Sequence, residues 1–200
     1  MNDHLLVSFL TLSLFEQYAC FIQFVFMWVP TLLTLEPPGG LPTGCVFSAM
    51  MMAITMGGIL FSPLHSFFSI FTKSSSMELS ATFIYAVASA SMAVPALCLL
   101  QDRYDCLMPI LASFMVVEAC VGMFMPAAGT LRSKHVPDSL QGAILNIFRL
   151  PLNAVVVLGT HATDVMEPPH VFILVSACFM AASMIQATMI TPKGAKKKAD

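Results

Sequence analysis

Residues 138–160 read DSLQGAILNIFRLPLNAVVVLGT and combine a long apolar run with Asn146, Arg149 and Asn153. An arginine at the centre of a membrane-spanning helix costs roughly 2.5 to 3.5 kcal/mol, so it persists where it faces protein, water or an anion. Side chains three and four residues apart share one face of a helix, and these three polar residues have that spacing. The stretch therefore predicts a membrane-spanning helix with one polar face.

The composition of the whole chain is typical of an integral membrane protein. Of its 200 residues, 58% are hydrophobic and 10% are charged, which lies outside the usual range for a soluble domain. Polar and Pro/Gly clusters divide the chain into apolar segments, each long enough to cross a hydrocarbon core of about 30 Å. The predicted spans are residues 5–35, 44–71, 79–100, 106–131, 138–160 and 171–191. We therefore predict an all-α membrane protein, with six transmembrane helices in residues 1–192 and a basic tail in 193–200.

The basic residues predict the orientation, because cytoplasmic loops carry the excess of Lys and Arg. With both termini in the cytoplasm, the outer loops hold Arg103, and the cytoplasmic loops and tail hold Lys73, Arg132, Lys134, Lys193, Lys196, Lys197 and Lys198. We expect a multi-pass protein of the plasma membrane that contacts membrane lipid directly.

Two carboxylates also fall within apolar segments. Glu16 and Glu118 lie in the first segment of each successive set of three segments. Related positions of this kind favour two three-helix repeats, an arrangement found in many secondary transporters. Gly57 and Gly58 further predict a close contact between two helices, because small residues let membrane helices approach each other.

Four stretches resemble the molybdate-anion transporters, a branch of the major facilitator superfamily. They are FEQYACFIQFVFMWVP (15–30), GCVFSAM (44–50), EACVGMFMPAAGTLR (118–132) and GAILNIFRLPL (142–152). The stretches occur in the family's order and cover roughly residues 15–155 together, although Leu150 stands where the family usually has Val. The resemblance implies that the chain is the carboxy-terminal six-helix half of a major facilitator fold.

A secondary transporter of molybdate or a related oxyanion is the function that the resemblance implies. Arg149 is then the expected cationic anchor for the anion, and Asn146 and Asn153 are expected to supply hydrogen bonds. Glu16 and Glu118 are the expected coupling or gating carboxylates. The substrate path of such a transporter lies between two bundles. An amino-terminal six-helix half, or a second copy of this chain, is therefore an expected partner, and no cofactor is expected.

Other interpretations stay open. Arg149 could instead pair with Glu118 and hold the fourth and fifth helices together, since buried charges in membrane spans often pair. The same fold serves carriers of other small solutes, and a non-transporting accessory membrane protein is a third alternative. We do not expect an enzyme, because the sequence has no phosphate loop, nucleophile elbow or metal-ligand spacing. The lysines of the tail form too short a basic run to predict nucleic-acid binding.

Overall fold

The computed structural model describes residues 24–35, 39–72, 75–101, 105–135, 153–154 and 156–190. Within these residues the regular structure is entirely helical. Six helices are present there: α1 (Phe24–Thr34), α2 (Thr43–Phe71), α3 (Ser76–Leu100), α4 (Leu107–His135), α5 (156–165) and α6 (Pro168–Thr188). Four of them, α2, α3, α4 and α6, are long and apolar enough to cross a membrane. The chain is thus a multi-pass membrane protein.

Several helix ends differ from the predicted boundaries. α6 begins at Pro168, in a Pro/Gly cluster that we expected to separate two spans. Proline is well suited to the first turn of a helix because the backbone N–H that it lacks would have no intrahelical partner there. α3 begins at Ser76, before the predicted start at residue 79, and α5 continues to residue 165 rather than ending at 160.

Short connections set the directions of three helices. Four residues (72–75) separate α2 from α3, and six residues (101–106) separate α3 from α4. Helices joined by connections of this length pack as antiparallel neighbours. α2 and α4 therefore run in the same direction, opposite to α3.

Hydrogen bonds between hydroxyls and backbone carbonyls join α3 to α6. Ser89 Oγ donates to the carbonyl oxygen of Ser176, and Ser176 Oγ donates to that of Ser89, both at 2.8 Å. Ser183 Oγ donates to the carbonyl oxygen of Thr82 at 3.0 Å. Thr82 lies seven residues before Ser89, whereas Ser183 lies seven residues after Ser176. α6 is therefore antiparallel to α3 and runs in the same direction as α2 and α4.

Aromatic side chains on α4 connect it to three other helices. The Phe114 ring lies 5.0 Å from that of Phe24 in α1 and 5.8 Å from that of Phe172 in α6, between ring centroids. Phe124 lies 5.7 Å from Tyr85 in α3. All five rings are buried, in the tilted and edge-on arrangements that aromatic pairs prefer. Of the four long helices, α4 has the most buried apolar span and α2 the least.

Candidate functional site

Glu118 is a carboxylate buried in the middle of a membrane-spanning helix. It lies midway along Leu107–Leu131, the apolar part of α4, and its residue surface is only 3% exposed. Among the described residues, its Oε2 atom has no hydrogen-bond partner. Burying a polar group without a partner is costly, and an ionisable residue inside a membrane span is by default a candidate functional residue. Glu118 is therefore the strongest candidate for a functional residue in the described part of the chain.

The backbones of α2 and α4 touch next to Glu118, in a contact that we call the α2–α4 seam. It consists of Ile54, Gly57 and Gly58 on α2 and Ala119 and Gly122 on α4. A Cβ atom placed on Gly57 would overlap the carbonyl group of Ala119, and one placed on Gly122 would overlap that of Ile54. Only glycine fits at either position, which confirms the close contact predicted around Gly57 and Gly58.

Gly58 makes a looser contact than its neighbour. A Cβ atom on Gly58 would lie 3.8 Å from the carbonyl oxygen of Gly122, which is an ordinary van der Waals distance. The seam thus has two edges, one where Gly57 meets Ala119 and one where Gly58 meets Gly122. On α4 the residues around the helix follow the order Ala119, Gly122, Glu118, at about 100° per residue. Glu118 therefore lies beyond Gly122, at the Gly58 edge of the seam.

The remaining predicted site residues are only partly described. Asn153 is helical and exposed. Asn146, Arg149 and Glu16 lie outside the described residues. A common site formed by all five residues, and an ion pair between Arg149 and Glu118, both stay predictions.

Among the buried polar residues that sequence reasoning missed, Glu78 in α3 and Gln186 in α6 have the longest side chains. Glu78 is 3% exposed and Gln186 is 1% exposed. The antiparallel register of α3 and α6, extended from the bond between Ser183 and Thr82, puts both residues at the same end of the helix pair. The amide nitrogen of Gln186 has no hydrogen-bond acceptor among the described residues.

A sequence signal for Glu78 was available. Ser75 precedes α3, and Glu78 follows it by three residues, which is the pattern of a capping box at the start of a helix. That pattern predicts a start at Ser76 and includes Glu78 in the first turn, where the helix dipole favours a negative charge. At the same end of the bundle, Ser76 Oγ lies 3.1 Å from His65 Nε2 and links α3 to α2. The contact gives His65 a structural role between these two helices.

The described residues contain no group of three His, Cys, Asp or Glu side chains arranged to hold a metal ion. Among the described residues, Glu118 and the α2–α4 seam are the candidate functional features.

Comparison with known proteins finds relatives that are named molybdate-anion transporter. No family model matches the chain, and no solved structure matches it significantly. The chain is similar to a Danio rerio protein named molybdate-anion transporter, with 32% identity over 136 residues, covering 68% of this chain and 26% of that protein. A Xenopus tropicalis protein of the same name is 29% identical over 146 residues, covering 68% of this chain and 28% of that protein.

These similarities support the molybdate-anion transporter family. The chain matches only 28% of the length of the Xenopus tropicalis relative and 26% of the length of the Danio rerio relative.

Proposed function

We propose that the chain is part of a secondary transporter that moves molybdate or a related oxyanion across a membrane. The similarity to proteins named molybdate-anion transporter is the observation that carries this proposal. The four long apolar helices and the buried carboxylate at the centre of α4 support it, because solute carriers place ionisable groups near the middle of the membrane.

The fold in this proposal is one half of a major facilitator fold. α2, α4 and α6 run in the same direction, which agrees with a bundle whose successive helices alternate. The C-terminal end of α4 and the N-terminal end of α6 then lie at opposite ends of the bundle. This placement supports a fifth span between them, at the predicted residues 138–160. Both termini are proposed to be cytoplasmic, in the plasma membrane.

Three residues are proposed to bind the anion. Arg149 supplies a planar guanidinium that can donate two parallel hydrogen bonds to an oxyanion, and Asn146 and Asn153 donate further hydrogen bonds. Glu118 and Glu16 are proposed to couple or gate transport. One arginine neutralises only part of a dianion, so we expect the other half of the site to come from a second bundle.

The test requires a form of the protein in which a second bundle is present. We define the complemented chain as the full 200-residue chain co-expressed with the part of the Danio rerio relative that lies outside the match. Labelled molybdate uptake by the complemented chain should be saturable, and unlabelled sulfate should compete better than a neutral organic solute. Uptake that the organic solute inhibits and sulfate leaves unchanged would refute an oxyanion substrate.

A further inference from the structure

α2 exposes two faces that differ in chemistry. One face carries large apolar side chains with high exposure: Met56 at 53%, Leu60 at 47% and Phe67 at 53%. The other face, which we call the hydroxyl face, is formed by the exposed residues Gly44, Ser48, Thr55, Gly58, Ser62 and Ser66. Spacings of three, four and seven residues keep these positions on one side of the helix, where the exposed apolar side chains of Met51, Met52 and Ile59 also lie. The apolar face suits lipid tails, and the hydroxyl face has a different chemistry.

Two side-chain oxygens on the hydroxyl face, those of Ser48 and Thr55, present acceptors outward. Ser48 Oγ donates its proton to the carbonyl oxygen of Gly44 at 2.8 Å, and Thr55 Oγ1 donates to that of Met51 at 3.0 Å. A hydroxyl that donates to its own helix keeps lone pairs directed away from it, and water can donate to them. Lipid tails offer no donor to such a row of oxygens. Water or a polar solute is the better neighbour for this face.

The buried carboxylate of Glu118 provides a second, independent observation at the same place. Around α2, Gly57 is followed by Gly58 and then by Ser62 and Thr55, so the hydroxyl face continues from the Gly58 edge of the seam. Glu118 lies at that same edge on α4. Its Oε2 atom has no hydrogen-bond partner among the described residues, and the residue is 97% buried, as follows from its 3% exposure.

Thr55 and Glu118 also lie at the same depth. Thr55 precedes Gly58 by three residues, and Glu118 precedes Gly122 by four. Because α2 and α4 run in the same direction, both residues are about one helical turn from the Gly58–Gly122 contact, towards the same end of the bundle. A hydroxyl and a carboxylate therefore flank one edge of the seam near the middle of both helices.

We infer that the hydroxyl face of α2, with Glu118 beside it, is the water-facing wall of the solute path. The inference rests on the proposed function and adds Thr55 and Ser62 as residues that contact the solute. The expected ligand is a tetrahedral oxyanion with its attached water. The hydroxyls accept hydrogen bonds from that water, and after rotation they can donate to an oxygen of the anion.

The test compares cysteines on the two faces of α2. Single variants Thr55→Cys and Ser62→Cys are made in the complemented chain after its native cysteines are replaced by serine. Matched controls are Met56→Cys and Leu60→Cys, which lie on the apolar face at neighbouring depths. A charged, membrane-impermeant thiosulfonate should label the hydroxyl face about ten-fold faster or more, because only the hydrated thiolate reacts. Molybdate should slow the labelling of Thr55→Cys.

Three outcomes would overturn the inference. Equally slow labelling of both faces would assign the hydroxyl face to lipid. Disulfide-linked dimers of Thr55→Cys without labelling would assign it to a contact with a second copy of the chain. Fast labelling that molybdate does not slow would assign it to water alone.

Faster labelling of the hydroxyl face with no uptake in any variant would instead refute the proposed function. Uptake with equal labelling would refute only the inference.

Discussion

Replacing the carboxyl group of Glu118 tests whether proton movement is coupled to molybdate transport, without a change in packing. In the complemented chain, Glu118→Gln keeps the size and polarity of the side chain but removes its ability to carry a proton. We expect accumulation of molybdate against its gradient to be lost while exchange of labelled for unlabelled molybdate continues. Glu167→Gln is the matched control, because Glu167 immediately precedes α6 and its side chain is 81% exposed. Wild-type accumulation in Glu118→Gln would rule out a coupling role.

Substitutions of Arg149 distinguish two roles for this residue, an anchor for the anion and a partner in a structural ion pair. As an anchor, Arg149→Ala should abolish uptake and leave the amount of surface protein unchanged, and Arg149→Lys should weaken apparent affinity because the planar fork is lost. As the partner of Glu118, Arg149→Ala would strand a buried carboxylate at a cost of roughly 3–5 kcal/mol. Loss of surface protein in Arg149→Ala that Glu118→Gln restores would contradict the anchor role.

The geometry of the α2–α4 seam predicts different costs for alanine at two adjacent glycines, Gly57 and Gly58. A methyl group at Gly57 meets the backbone of Ala119, which cannot turn aside as a side chain would, so the two helices must separate. We expect Gly57→Ala to destabilise the protein in detergent by about 1–3 kcal/mol, the usual range for overpacking. Gly58→Ala is the matched control and should cost little, because its methyl group reaches only ordinary contact distance. Thermal unfolding of the two variants gives the comparison.

Gly129 provides a second control on the other helix. A Cβ atom there would have no neighbour within 4 Å, so Gly129→Ala should be neutral or slightly stabilising, since alanine favours helix over glycine. Equal melting temperatures for Gly57→Ala and Gly129→Ala would contradict the seam.

The helices illustrate which features sequence reasoning could reach. Long apolar runs predicted α2 and α4 to within a few residues at most ends, because the length of a membrane span is set by the hydrocarbon thickness. The predicted span that begins at residue 79 leaves out Glu78 and the first turn of α3, although the capping-box spacing of Glu78 from Ser75 favours a helix there. The pairing of Ser89 with Ser176 joins distant parts of the chain, and no local pattern specifies such a partner.

The site was predicted less completely than the helices. Glu118 could be recognised because a carboxylate in an apolar segment is unusual in itself. The hydroxyl face of α2 escaped notice because serine and threonine are common in membrane helices. Its significance depends on Glu118, which only packing brings to the same edge of the seam.

The topology of the whole bundle can be tested with tags. α2 and α6 run in the same direction, so their starts lie on one side of the membrane. Glycosylation tags at Gly39 and Glu167 should therefore report the same side, which the distribution of Lys and Arg assigns to the outside. A tag after Asp200 should report the inside. Glycosylation at only one of the first two sites would contradict the parallel arrangement of α2 and α6.

Uptake of labelled molybdate by the complemented chain is the most direct test of the proposal that this chain is one half of a transporter. The measurement compares three preparations at equal surface expression: the chain alone, the remainder of the Danio rerio relative alone, and both together. Saturable uptake should appear only with both, because a path between two bundles cannot be enclosed by one. Saturable uptake by the monomeric chain alone, or its absence when both parts reach the membrane, would contradict a half-transporter.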